Sequence, residues 1–119
     1  MRAALLLSLV LLSAGPTLAQ EITVRTGCAV AVRAYDTQDL ATVATVNTFI
    51  ESEMQALDAH HTDNGEPGII AGMNDQQIAT LVAAAIGYCR RSPKATIYNE
   101  TYQLYDGIRG LAIEAGQAK

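Results

Sequence analysis

The sequence contains no tryptophan, one phenylalanine and only two cysteines, and its acidic residues outnumber its basic residues by twelve to eight. This shortage of lysine and arginine disfavours nucleic-acid binding, which requires clustered cations to contact phosphates. The chain also lacks CxxC and HExxH motifs, a phosphate-binding glycine loop and a nucleophile elbow. We therefore expect no catalytic residues, no metal site, no cofactor and no enzymatic activity. The core must be built from aliphatic residues, methionine and tyrosine.

Residues 1–19 have the organisation of a secretory signal peptide. Arg2 is followed by an apolar stretch from Ala3 to Leu12, and small residues precede a cleavage position after Ala19. The apolar stretch has roughly half of the ~20 residues needed to span a bilayer. We expect cleavage, with no membrane association afterwards, and a single periplasmic domain of residues 20–119. Seven basic and twelve acidic residues give this domain a net charge of minus 5.

Export changes the interpretation of Cys28 and Cys89. In an oxidising compartment, two cysteines without a metal-binding or redox spacing favour a disulfide. Both lie on the apolar face of their predicted helices, which is compatible with a bridge between packed elements. A bond closing a loop of this length would stabilise the fold by about 4 kcal/mol in the chain-entropy description.

Hydrophobic periodicity predicts an all-α fold of about four helices stapled by one disulfide. Residues 28–35 fit both a strand and a helix, and their alanine content favours the helix. The longest amphipathic pattern predicts a helix over 40–59, and Asn74 is a cap for a third helix that contains Cys89. Ser92-Pro93 is a helix start signal, which predicts a last helix over 94–108 followed by a mobile C-terminal tail.

Two groups of apolar residues are candidates for a surface that binds clients or a second copy of the chain. Ile69 and Ile70 lie in a loop rich in glycine and proline, and we expect them to tuck beneath this loop rather than to form an exposed surface. The other members follow the stripe of the central helix. They are Val43, Val46, Phe49, Ile50 and Met54.

Polar clusters offer little chemistry by spacing. His60, His61 and Asp63 form the only metal-like group, but adjacent histidines diverge and we expect a solvated loop. The three tyrosines of the last helix are expected to pack it on the core with their hydroxyl groups at the rim. They are Tyr98, Tyr102 and Tyr105.

The order of these features resembles the HdeA/HdeB family of small bacterial periplasmic proteins. The similarity covers residues 24–110 and is carried by Cys28, the hydrophobic pattern from Val43 to Met54, and the IGYCRRSP segment at 86–93. It implies an all-α fold with a Cys28–Cys89 disulfide. It also implies the behaviour of the better-known members, which are acid-stress chaperones. They are dimers near neutral pH and loosen in acid to bind unfolded periplasmic proteins.

The charge balance is compatible with such behaviour. Protonation of all twelve carboxylates and both histidines in strong acid would take residues 20–119 from minus 5 to plus 9, and this self-repulsion favours expansion. The alternative is an exported binding module, such as an immunity protein of the Tai type, with a stable preformed surface for a specific protein partner. A hydrolase would require Tyr102, His60 and a carboxylate to converge in one pocket.

Overall fold

The computed structural model describes residues 19–117, and the regular structure in this range is helical. The helices are α1 (Cys28–Asp36), α2 (Leu40–Asp63), α3 (Asp75–Arg91) and α4 (Ile97–Glu114). The predicted all-α bundle is confirmed. Residues 1–18, which hold nearly all of the expected signal peptide, lie outside the described residues, as do the last two residues of the chain.

The first segment resolves the ambiguity between helix and strand in favour of the helix. Cys28, Ala31 and Ala34 lie on one face of α1 and are buried. This face packs against α3 and α2. The small alanine side chains allow the short helix to approach its neighbours closely.

The central helix α2 begins and ends at recognisable caps. The Asp39 side chain accepts a hydrogen bond from the Thr42 amide at 3.3 Å. The helix continues to Asp63, four residues beyond the expected end, and Gly65 then adopts a left-handed φ of 73°. His60 and His61 are consequently helical and not part of a loop.

The third helix starts at the predicted cap and buries the predicted face. Asn74 and Gln77 form a reciprocal capping box. The buried residues of α3 follow a helical period and include Cys89 near its end. They are Ile78, Leu81, Val82, Ala85, Ile86 and Cys89.

The predicted bounds of the last helix were wrong at both ends. It starts at Ile97, with Thr96 as its cap, because Thr96 is extended and forms an isolated β-bridge with Gly27, closed by backbone hydrogen bonds from Cys28 and Ile97. It continues to Glu114, so the residues after 108 are helical up to that point. Gly107 and Gly110 are tolerated within α4, since Ile108 and Ala112 pack against the core and offset the low helix propensity of glycine.

The core lies between α2, α3 and α4, with α1 covering one side of α3. Its largest fully buried side chains include Tyr105, Ile50 and Met54. None of the four helices in residues 19–117 has the length and hydropathy of a membrane-spanning helix.

Candidate functional site

Covalent and backbone links gather three helix termini at one end of the bundle, which we call the disulfide end. The Cys28–Cys89 disulfide joins the start of α1 to the end of α3, with Cα atoms 5.0 Å apart. The Cys28 amide donates to the Ala95 carbonyl at 2.8 Å and the Ile97 amide donates to the Thr26 carbonyl at 3.0 Å. The start of α4 is therefore held beside the disulfide.

A buried carboxylate organises the opposite end. Asp58, on α2, is only 4% exposed. Its Oδ1 atom accepts hydrogen bonds from the Ile69 amide and the Tyr105 hydroxyl, both at 2.7 Å, and its Oδ2 atom accepts one from the Ile70 amide at 2.9 Å. These four residues form the Asp58 clasp, which joins α2, the α2–α3 loop and α4.

The clasp depends on the negative charge of Asp58. Burial alone would raise the pKa of Asp58, but the Tyr105 hydroxyl and the backbone amides of Ile69, Ile70 and Ala71 outweigh it and hold this pKa below its usual 3.8. Burial and the bond to Asp58 raise the pKa of Tyr105, so that its hydroxyl remains a donor. At neutral pH, the ionised Asp58 carboxylate therefore accepts the hydrogen bonds of the clasp, and the backbone amides and the Tyr105 hydroxyl donate them.

Residues 68–73, which we call the strap, lie directly on this carboxylate. A Cβ atom on Gly68 would come within 2.6 Å of the Thr62 Cγ2 atom and 2.8 Å of the Asp58 Oδ2 atom. A larger residue at position 68 would therefore force the Thr62 and Asp58 side chains or the strap itself to shift. The adjacent Ile69 and Ile70 side chains are 8% and 7% exposed, which confirms the expectation that they tuck beneath the loop.

Two further contacts fix the loop that precedes the strap. Arg109 on α4 donates from Nε to the Pro67 carbonyl at 2.8 Å. His61 Nδ1 lies 3.2 Å from Glu66 Oε1, and the His61 ring stacks on Tyr105 with a centroid separation of 6.1 Å. The loop is therefore anchored to both α2 and α4.

The clasp and the disulfide lie in different parts of the bundle. Tyr105 lies nine positions after Thr96, the cap of α4, which corresponds to roughly 13 Å at the rise of an α-helix. Covalent restraint acts at one end, whereas the strap at the other end is held by hydrogen bonds and apolar contacts. Among the contacts of the strap, the hydrogen bonds of Ile69 and Ile70 are made to a carboxylate, which acid can protonate.

The residues expected to form a client or dimer surface are mostly inside the folded domain. Val43 and Phe49 are half-buried. The remaining five are buried, and all five belong to the main core cluster. They are Val46, Ile50, Met54, Ile69 and Ile70.

The structure does not unite the residues that a hydrolase would have required. Tyr102 is 42% exposed and His60 is exposed, whereas Tyr105 and His61 lie beside the buried carboxylate. Both Asp58 oxygens already accept hydrogen bonds, which leaves this side chain poorly placed to contact a substrate. Within residues 19–117, no three His, Cys, Asp or Glu side chains are grouped to hold a metal ion.

Sequence reasoning missed Asp58 and was wrong in placing the Tyr105 hydroxyl group at the rim. A signal for Asp58 was present, because it continues the four-residue spacing of Val46, Ile50 and Met54 on the buried face of α2. A charged residue in register with a buried stripe indicates a paired or hydrogen-bonded carboxylate. Its partners were hidden, since Tyr105 lies 47 residues away in the chain.

Comparisons with known proteins identify no relative of this chain. No family model matches it, and no curated protein or solved structure shows significant similarity to it.

Proposed function

We propose that this chain is an exported, non-enzymatic protein of the HdeA type, which binds unfolded periplasmic proteins in strong acid and prevents their aggregation. The Asp58 clasp carries the proposal, because it closes the core with a carboxylate that acid neutralises. The fold and the Cys28–Cys89 disulfide agree with the resemblance noted in the sequence.

The direction of the pH effect follows from the pKa of Asp58. This pKa is lower in the folded state than the ordinary value of 3.8, so the clasp stabilises the folded state above about pH 4. The stabilisation is lost as the pH falls through the folded value. Two of its three partners are backbone amides, which can only donate, so a protonated carboxyl group could donate only to the Tyr105 hydroxyl oxygen. Protonation therefore also weakens the bonds that Asp58 accepts from the amides. The clasp therefore withstands mild acid and fails in strong acid.

Loss of the clasp would coincide with a large change in net charge. Neutralised carboxylates leave the positive charges of lysine, arginine and histidine unbalanced, so repulsion favours expansion. The disulfide bounds that expansion because it continues to join α1 to α3. The expected acid state is loosened, with apolar surface exposed, but is not an unrestricted chain.

The burial of the candidate client surface agrees with activation by opening. Val46, Ile50 and Met54 are fully buried in the folded domain and could contact a client only after α2 separates from its neighbours. A protein inactive at neutral pH requires such concealment, since exposed apolar stripes would bind indiscriminately. A homodimer at neutral pH, with unfolded proteins as acid-state partners, remains part of the proposal.

Light scattering tests the proposal. A client that aggregates at about pH 3 is mixed with increasing amounts of residues 20–119 carrying the intact disulfide. We expect scattering to fall with stoichiometry, and we expect Asp58→Asn to extend protection to a higher pH, whereas Asp63→Asn should not. Unchanged scattering at every ratio would refute the chaperone proposal.

A second candidate function is a binding module of the immunity type. It is favoured by a preformed cleft of about 300 Å³ between α1, α2 and α3, lined by residues that include Tyr35, Glu51 and Val82. Such a module would need to keep its surface intact. Near-UV circular dichroism that is the same at neutral pH and at about pH 3 would favour the binding module over the acid chaperone.

A further inference from the structure

The strap fills space that belongs to the core while having no regular structure of its own. It has no helical or strand backbone, yet Ile69 and Ile70 join the same apolar cluster as Ile50 and Ile78. Met73, at the other end of the strap, is partly buried against this cluster. The strap bends at Ile69 and Ile70 and then makes a turn, in which the Met73 amide donates to the Ile70 carbonyl at 3.0 Å. A short bent segment with two adjacent isoleucines thus occupies a position between three helices.

The strap is flanked by open space on both sides. A cleft of about 460 Å³ separates it from the end of α4 and includes Gly72, Gln77 and Ala112 in its lining. A second cleft, of about 370 Å³, lies towards α2 and the start of α3 and includes Gln55 and Ile78. Both clefts share Asp58, Thr62, Ala71 and Met73. Departure of the strap would therefore merge them into one groove.

The groove offers the strap two kinds of contact. Aliphatic side chains enter the apolar cluster, and two consecutive backbone amides donate to one carboxylate. Both contacts depend on the bend of the strap, which turns two consecutive amides towards one carboxylate. A segment with two neighbouring aliphatic residues, and with a small residue before them, could adopt the same bend and present both. A segment from another polypeptide could satisfy the same groups.

We propose that the strap is an autoinhibitory segment, which occupies a groove that otherwise receives aliphatic segments of unfolded proteins in the same bent conformation. This inference rests on the proposed function and specifies its binding site. The preferred segment has two consecutive aliphatic residues flanked by small ones, as in Gly-Ile-Ile-Ala-Gly at 68–72. Opening of the strap, and not global unfolding, then creates the first client site.

Several charged groups surround the clasp that holds the strap, and they bear on its response to pH. Each packing element contributes at least one of them. They are His61 on α2, Glu66 in the loop, Asp75 at the start of α3, and Asp106 and Arg109 with Tyr105 on α4. Glu66 pairs with His61 and is partly exposed. Asp58, in contrast, accepts hydrogen bonds from the amides of the strap itself.

The strap peptide in trans tests the inference at neutral pH without any client. A labelled peptide of residues 66–74 is titrated into wild-type protein, into Gly68→Ala, and into Gly72→Ala as the matched control. A methyl group at Gly68 would overlap the Thr62 and Asp58 side chains, and we expect this overlap to displace the strap, whereas a Cβ at Gly72 meets no atom within 4 Å. We expect Gly68→Ala to bind the peptide at least about tenfold more tightly than the other two proteins. A peptide with serine at both isoleucine positions should not bind.

A second variant, Ile69→Ser/Ile70→Ser, removes the side chains that fill the groove and should also bind the peptide. Far-UV circular dichroism establishes that each variant is folded. Failure of both folded variants to bind the peptide more tightly than wild type would overturn the inference.

Client assays separate this inference from the proposed function. If the isoleucines only cover the groove, Ile69→Ser/Ile70→Ser should retain its client capacity in acid and become active at a higher pH. If they are themselves the client contacts, capacity should fall, which would overturn the autoinhibitory role. If the variants bind the peptide but do not reduce the light scattering of a client, the chaperone proposal is refuted, whereas the proposal of a peptide-binding groove beneath the strap is supported.

Discussion

Replacement of Asp58 by asparagine isolates the contribution of the buried negative charge, because the two side chains have the same shape. An asparagine oxygen in the Oδ1 position could still accept from the Ile69 amide and the Tyr105 hydroxyl. Its NH2 group would then face the Ile70 amide, so that two donors meet. The variant therefore loses one bond to a charged acceptor and weakens two others.

The magnitude follows from the energies of such bonds. A hydrogen bond to a charged group contributes about 1.5–3 kcal/mol, and bonds to neutral acceptors are roughly half as strong. We expect Asp58→Asn to lower the free energy of unfolding by about 2–4 kcal/mol at neutral pH. This difference in stability between wild type and variant requires an ionised Asp58, so it should decrease as the pH falls below about 4.

Urea unfolding followed by far-UV circular dichroism measures this difference at neutral pH and at several acidic values, with the disulfide intact. Asp63→Asn serves as the matched control, since Asp63 is exposed at the end of the same helix and should change stability by less than about 0.5 kcal/mol. The reasoning would be refuted if Asp58→Asn were as stable as wild type at neutral pH, or if the difference in stability between them were undiminished in acid.

Three further perturbations give distinct expectations. Gly68→Ala should destabilise the fold by about 1–3 kcal/mol in urea unfolding, because its methyl group overlaps the carboxylate and a threonine methyl, whereas Gly72→Ala should be neutral; equal effects would contradict the packing. Tyr105→Phe should lower the free energy of unfolding by about 1–2 kcal/mol at neutral pH, because it removes the hydroxyl that donates to Asp58. In a double-mutant cycle, the same substitution should have no such effect when Asp58→Ala is already present. Cys28→Ser/Cys89→Ser removes a disulfide with a sequence separation of 61. It should lower the free energy of unfolding by about 4 kcal/mol at any pH between neutral and mildly acidic values. A strong pH dependence of this loss would contradict a purely covalent restraint.

Local signals were sufficient to predict most of the helical framework. Asn74 caps α3 as its position in the sequence predicted, and the apolar spacing identified the buried faces. Cys28 and Cys89 pair because both lie on those faces at helix termini that meet. Caps and periodicity are properties of neighbouring residues, so a single sequence contains them.

The errors occurred where distant parts of the chain decide the local structure. Ser92-Pro93 reads as a helix start, but pairing of residues 95–97 with residues 26–28 delays α4 until Ile97. Gly107 and Gly110 indicate a helix end, but tertiary packing extends α4 beyond them. In both cases, contacts made in the folded state outweigh local propensity.

The candidate site was the hardest feature to predict for the same reason. The clasp combines one side chain from α2, two backbone amides from a loop and a hydroxyl group from α4. Backbone amides have no sequence signature, and Gly68 resembles any loop glycine until its contact with Asp58 is known. Only the buried register of Asp58 on α2 could have indicated that the site existed.

The most direct test of the account is an NMR titration that follows the Asp58 carboxyl carbon together with the Ile69 and Ile70 amides. We predict one shared midpoint below 3.8, accompanied by loss of the Ile69 and Ile70 hydrogen bonds, while the amides of Cys28 and Ile97 at the disulfide end remain unchanged through that midpoint. A midpoint above 3.8, or protonation of Asp58 without any change at the Ile69 and Ile70 amides, would contradict the claim that acid releases the strap.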